Sequence, residues 1–219
     1  MTSRRLKTAT LVHGAARYTK FRMSTSRTAS LSRQTTETDI TLSVNLDGDG
    51  SSQLATGVGF FDHMLTHVAR HGLLTLEISA KGDLHIDDHH TVEDVGICLG
   101  QALKAAVGDK KGMTRYGDAT VPMDESLVLC ALDFSGRGGA HIALDFPDTR
   151  IGSFAVELVE EFFHAVAREA GLNLHIRLLT GKNAHHIAEA AFKAFGRALR
   201  QAVALDPRVT GIPSTKGVL

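Results

Sequence analysis

Tryptophan is missing from the 219 residues, and there are only two tyrosines, four prolines and two cysteines. Two cysteines cannot frame a disulfide-built fold. Cys98 and Cys130 both sit among apolar neighbours, so they read as reduced packing residues of a cytoplasmic protein. No apolar run reaches the roughly eighteen residues that a membrane-spanning helix needs, and no apolar segment with a small-residue cleavage site opens the chain. An excess of one charge is also lacking, because 24 Lys and Arg balance 24 Asp and Glu. That balance excludes a global attraction to nucleic acid or to an anionic membrane, so any anion recognition must be local. What the chain does have is 43% hydrophobic residues, enough to core one large domain or two small ones packed together. It also has twelve histidines, and they cluster.

Residues 1–36 carry eight Lys or Arg, many Ser and Thr and no acid. This composition reads as a disordered basic leader, either a transit-type segment or a mobile extension; Met23 could open a shorter chain. Beyond it, Ile40, Leu42, Val44 and Leu46 alternate with polar residues as in a strand. The run stops at Asp47-Gly48-Asp49-Gly50, which supplies the positive φ values of a tight hairpin. A second strand near 51–56, a helix over about 60–71, a strand through Leu74, Leu76 and Ile78 and a helix from His89 follow. Strands near 126–134 and 140–146, a helix over about 154–170, a strand through Leu172–Leu178 and a helix from His185 repeat the order.

A shift of 96 positions, 89 to 185, lays His89, His90 and Glu93 on His185, His186 and Glu189. The same shift lays Gly100, Ala102, Leu103, Ala106 and Val107 on Gly196, Ala198, Leu199, Ala202 and Val203. The expected fold is therefore α+β, an internally duplicated strand-strand-helix-strand-helix unit in a two-layer sandwich, with halves 37–125 and 126–219. The helices' outer faces would need a further partner.

Each duplicated helix opens with H-H-x-x-E. A glutamate at i+3 or i+4 shares a face with a preceding histidine and can join it on one ion. Adjacent histidines diverge by about 100°, from 3.6 residues per turn, and so reach two different ions more easily than one. The preceding helices add Asp62-His63-Met64-Leu65-Thr66-His67 and Phe162-Phe163-His164. Imidazole and carboxylate donors without thiolates suit Mn, Fe, Co, Ni or Zn. A lone histidine at a helix start is usually a cap or surface residue, but two copies in register have few other compensated roles. His85, His141 and His175 fall outside the pattern. Basic residues at element ends are candidates for an anion: Arg115, Arg137 in the stretch Ser135-Gly136-Arg137-Gly138-Gly139, Lys193, and Lys216 in a tail that also offers Ser214.

The motifs GFFDHMLTH (59–67), HIDDHHTVEDVG (85–96), GKNAHHIAEAAFKAFGRAL (181–199) and IPSTKGVL (212–219) together resemble imidazoleglycerol-phosphate dehydratase. The resemblance runs from about residue 37 to the C-terminus. It implies a lyase of histidine biosynthesis that dehydrates D-erythro-imidazoleglycerol phosphate to imidazole-acetol phosphate through a metal-bridged imidazolate. Two Mn²⁺ ions per site are implied, with His63, His89, His90, Glu93, His164, His185, His186 and Glu189 as ligands. The sites would lie between subunits of a 24-subunit homo-oligomer. Substrate contacts would come from Glu37, His67, His71, Arg115, Arg137, Lys193, Ser214 and Lys216, and catalysis from Glu37, His90 and Glu189. At position 67 relatives often carry glutamine. The donor set alone leaves two alternatives open, a dinuclear metal-dependent phosphohydrolase and a non-catalytic metal-holding shell.

Overall fold

The computed structural model describes residues 27–219 together with two short backbone segments before them. In chain order the first half comprises β1 (Val12–His13), β2 (Ala16–Tyr18), β3 (Thr28–Gln34), β4 (Thr38–Asn45), β5 (Ser52–Ala55), α1 (Gly59–Gly72), β6 (Thr75–Gly82) and α2 (His89–Val107). There follow β7 (Tyr116–Met123), β8 (Ser126–Asp133), β9 (Gly139–Ala143), a small hairpin of β10 (Arg150–Ile151) and β11 (Phe154–Ala155), α3 (Glu157–Ala170), β12 (Asn173–Thr180) and α4 (Ala184–Val203). The first sheet has the order β1-β2-β3-β4-β6-β5 and the second β7-β8-β12-β9. The second sheet thus repeats the β3-β4-β6-β5 core of the first strand for strand.

Alternation decides which face of each strand is inside. Ile40, Leu42 and Val44 on β4, and Val128, Cys130 and Leu132 on β8, are buried while their neighbours reach the outer surface. The glycine-rich turn after β4 forms, with Gly50 at φ 86°, but it does not close a hairpin. β6 inserts between β4 and β5, antiparallel to the first and parallel to the second. Parallel neighbours need a crossover connection, which α1 supplies between β5 and β6 and α3 between β9 and β12.

Each half also opens with a strand that its pattern concealed. β3 lies inside the stretch read as a basic leader. Only Ala29 and Leu31 of it are buried, a signal too short to register as alternation. The leader reading for the residues before 27 falls largely outside the described residues. β7 pairs with β8 in the second sheet, although it precedes the 125/126 boundary drawn from sequence. It carries Gly117 and Pro122, which mask a strand. Pro122 is tolerated because β7 is an edge strand, and Gly117 is required because a Cβ there would stand 1.9 Å from the carbonyl oxygen of Ala198 on α4.

The helical faces find their partner within the chain. α2 packs on β3, β4 and α3, while α4 packs on β7, β8 and α1, so the helices lie between the two sheets. Aromatic rings fill the junction: Phe61 meets Phe162 at 5.2 Å between centroids and Phe163 meets Phe192 at 4.8 Å. The matched glycines set the spacing. A Cβ on Gly100 would meet Glu169 Cβ at 2.6 Å, and one on Gly196 would meet the Val68 carbonyl oxygen at 2.9 Å. Gly196→Ala is therefore expected to destabilise the fold by about 1–3 kcal/mol despite alanine's better helix propensity. Denaturant unfolding would measure it, and an unchanged midpoint would contradict so close an approach of α1 and α4.

Candidate metal and substrate site

Both H-H-x-x-E motifs occupy the first turn of a helix, and each start is held from outside. The Asn183 side chain accepts from the backbone N–H groups of His185 and His186, and Asp87 Oδ1 accepts from His89 N–H at 2.8 Å. The glutamate of each motif then lies one turn further in, facing the helix that the other half contributes.

Across the α1–α4 contact, Glu189 is the centre. Its carboxylate, with 8% of the side chain exposed, lies 3.1 Å from His185 Nε2, 3.6 Å from His63 Nε2, 3.4 Å from His67 Nε2 and 2.6 Å from Lys193 Nζ. The ligand-type atoms of His63, His185 and Glu189 all fall within 4.8 Å of one another. His63 and His67 are one turn apart on α1, with ring centroids 4.5 Å apart. Phe60, wedged between Phe154 of the β10–β11 hairpin and the His185 ring, helps to fix the orientation of that imidazole.

The electrostatics keep Glu189 ionised. Burial resists ionisation of Glu189, but hydrogen bonding from Lys193 and the nearness of His67 overcome it and hold the carboxyl at about 2. Burial pushes His67 down to about 4 against the pull of Glu189, and burial followed by the Lys193 charge also lowers His71. At neutral pH Glu189 is therefore a carboxylate and His67 beside it a neutral imidazole. Carboxylate and imidazole donors fit a divalent transition metal.

The first-half motif is built differently. His89 Nε2 stands 3.9 Å from Glu93, whose other oxygen is 3.7 Å from Arg168 on α3, one turn beyond the exposed His164. Among the described residues of a single chain, His89, Glu93 and His164 do not close into a three-ligand cluster of the Glu189 kind. His90 Nδ1 is 3.0 Å from Asp83, and its Nε2 is 3.9 Å from Glu37. In the second half, His186 Nδ1 is 2.7 Å from Glu125. These carboxylates raise the basicity of both rings, first through the hydrogen bond itself, and leave each Nε2 as the outward donor.

Asp83, Glu125 and Arg168 were not singled out from the sequence. The position of Glu125 directly before β8, matching Glu37 directly before β4, was the available signal. Carboxylates of this kind fix the ring and tautomer of a ligating histidine, so Asp83→Ala and Glu125→Ala are each expected to weaken metal binding by about 10–100-fold. Competition against a chelator of known affinity measures that loss, and unaltered retention by both variants would contradict it.

The anion-binding candidates stand elsewhere. Arg115 is held by Asp133 at 2.6 and 3.0 Å and donates to the carbonyl of Pro213 at 2.8 Å, tying the C-terminal tail with Ser214 and Lys216 to the start of β7. The loop with Arg137 runs beside the chain end, where Gly136 approaches Leu219. Lys193 is not with them but on Glu189. One chain thus distributes the candidate residues over three places: the α1–α4 cluster with His63, His67, His71, His185, Glu189 and Lys193; the start of α2 with Glu37, His89, His90 and Glu93; and the tail region. His85 is exposed, while His141 and His175 stack on each other at 4.6 Å on the outer face of the second sheet, away from all three.

A twice-used α+β unit with histidine–carboxylate groups at two helix starts defines the class, a duplicated fold with a site suited to divalent metal. A family model described as imidazoleglycerol-phosphate dehydratase matches residues 56–199. The chain is 63% identical over 193 residues to the imidazoleglycerol-phosphate dehydratase of Desulforamulus reducens, covering 88% of this chain and 98% of the relative. It is 63% identical over 194 residues to that of Moorella thermoacetica, covering 89% and 99%. The crystal structure of the Staphylococcus aureus dehydratase superimposes with a TM-score of 0.75 at 42% identity, over 82% of this chain and 99% of that one. That of the Pyrococcus furiosus enzyme also gives 0.75, at 40% identity over 86% and 99%. The chain belongs to the imidazoleglycerol-phosphate dehydratase family. It is a hydro-lyase of histidine biosynthesis.

Proposed function

We propose that this hydro-lyase converts D-erythro-imidazoleglycerol phosphate to imidazole-acetol phosphate with two Mn²⁺ ions per site, in sites shared between subunits of a 24-subunit shell in the cytoplasm. The observation that carries the reading is the Glu189 cluster, in which His63 and His185 converge on an ionised carboxylate within 4.8 Å. The division of the remaining candidates over separate places on one chain supports a site completed by neighbouring chains. For the setting there is one structural fact: no helix among the described residues is long and apolar enough to cross a membrane.

His63, His185 and Glu189 would hold one ion with His90 of a neighbouring chain, and His89, Glu93 and His164 would hold the other with a neighbouring chain's His186. Bound there, the cations supply Lewis acidity toward the substrate's imidazole ring. The chain's own residues do the rest. The reaction must expel hydroxide from the carbon next to the ring and take a hydrogen from the following carbon, so that the resulting enol can relax to the ketone. The Glu37 carboxylate, half exposed and 3.9 Å from His90 Nε2, is placed to take and return a proton at that edge of the site. Lys193 compensates the charge of Glu189 and offers its remaining donors to an anion. Arg115 fixes the tail, so that Ser214, Lys216 and Arg137 can anchor the phosphate and hold the reacting carbons in place.

The test is to strip the protein with a chelator, restore Mn²⁺ and assay imidazoleglycerol phosphate for ketone and for free phosphate. Ketone that forms only with metal and without phosphate release is the expected result. Release of inorganic phosphate would instead make the site a metal-dependent phosphohydrolase, and metal uptake without turnover would make it a binding shell.

A further inference from the structure

The two halves place a glutamate at the same point and use it differently. Glu37 and Glu125 each immediately precede matching strands, β4 and β8, and each stands beside the second histidine of its half's motif. Glu125 is fully engaged. Its Oε1 accepts from Ser126 Oγ at 3.0 Å and from the backbone N–H groups of Lys182 and Asn183 at 3.1 and 2.8 Å, while Oε2 meets His186 Nδ1. The Glu37 carboxylate makes no hydrogen bond among the described residues; its partner is His90 Nε2 at 3.9 Å.

Two side chains that the second half lacks account for the contrast. Asp83 follows the end of β6 where Gly181 follows the end of β12, and it fills the Nδ1 position of His90 that a glutamate would otherwise take. Asp94 follows Glu93 where Ala190 follows Glu189. Its Oδ2 accepts from the hydroxyl of Thr38, the residue matching Ser126, so this hydroxyl is spent on α2 and not on the neighbouring glutamate. Asp94 is itself buried, and Arg33 Nε and Nη2 hold its other oxygen at 3.2 and 2.8 Å. On the other side of Thr38, the Thr35 hydroxyl oxygen accepts from the backbone N–H groups of Glu37 and Thr38 at 3.1 and 2.9 Å. An unbroken chain from Arg33 through Asp94 and Thr38 to Thr35 thus holds the backbone on which Glu37 stands without touching its carboxylate.

We propose that Asp94 is a positioning residue for the dehydration: by holding the Thr38 hydroxyl it locks the turn at 35–38 against α2 and leaves the Glu37 carboxylate unengaged beside His90 Nε2. The inference rests on the acid–base role proposed for Glu37. It predicts a loss in turnover and not in affinity, since a misplacement of about 1 Å in a reacting group can cost about 10²-fold.

Thr38→Val removes the hydroxyl with little change of shape, and Thr38→Ser keeps it. In the assembled, metal-loaded enzyme, Thr38→Val and Asp94→Asn should each lower kcat by about 10–100-fold with KM and metal content little changed. Thr38→Ser should restore kcat. Combined with Glu37→Gln, Thr38→Val should cost nothing further, because both act on one group. An equal loss in both backgrounds would show a general structural effect and overturn the proposal, as would full activity of Thr38→Val on the native background. Full activity of Glu37→Gln alone is a separate outcome that removes the role of Glu37 itself. Thr38→Val is uncharged and near-isosteric, so it carries the test if Asp94→Asn fails to fold.

Discussion

Glu189→Gln is expected to lower kcat/KM by about 10³-fold or more and to abolish stoichiometric metal retention. The carboxylate is the only anionic donor in its cluster, and it touches His63, His67, His185 and Lys193 at once. An amide of the same size keeps a carbonyl oxygen for Lys193 but cannot offset the charge of a divalent cation. Transition-state stabilisation by a bound metal amounts to several kcal/mol, and each 1.36 kcal/mol or so is a factor of ten in rate. Two measurements decide the matter: metal content by elemental analysis after dialysis, and turnover of the dialysed protein. Native metal content with native turnover would remove Glu189 from the site. Native turnover with lost metal would instead separate the reaction from this cluster.

Glu37→Gln should behave in the opposite way, keeping its metal and losing its rate. The side chain is half exposed, makes no hydrogen bond among the described residues and approaches only His90, so the fold has little to lose. A positioned acid–base group contributes about 10²–10⁴-fold, and that is the expected fall in kcat, with KM and assembly unchanged. A steady-state profile of the variant measures it. A variant that raised KM alone would make Glu37 a binding residue, since loss of uniform binding leaves kcat in place.

The contrast between these residues also shows where sequence reading succeeds. The periodic signals were the legible ones. Ile40, Leu42 and Val44 form a strand, and the two H-H-x-x-E motifs open helices in matching halves. Both follow from nearest-neighbour geometry, a period of two or of 3.6 residues. The strands at 28–34 and 116–123 were not legible, because β3 buries only two large or small apolar side chains and β7 is interrupted by Gly117 and Pro122. The glycine there answers to a helix eighty residues away, a constraint with no local trace. The turn at Asp47–Gly50 misled for a related reason: it bends the chain as its composition requires, but which strand lies beside β4 is decided by the α1 crossover.

For the site, residue type and spacing named candidate donors but could not group them. His63, His67, Glu189 and Lys193 come together only because α1 and α4 approach closely at Gly196. Asp83, Asp94 and Glu125 remained unremarked because a carboxylate that orients a histidine or a threonine has no motif of its own; its partner is reached through a loop or across a sheet edge.

By itself, then, the sequence determined the duplication, the helix starts and the chemical identity of the candidate donors, since these depend on side-chain type and on the local repeat of the backbone. The tertiary structure alone decided that the two halves pack helix to helix, that Glu189 and not Glu93 closes a three-ligand cluster within one chain, and that Glu37 is left unengaged while Glu125 is held. Those outcomes depend on contacts between residues far apart in sequence, where a single Cβ or hydroxyl sets the distance.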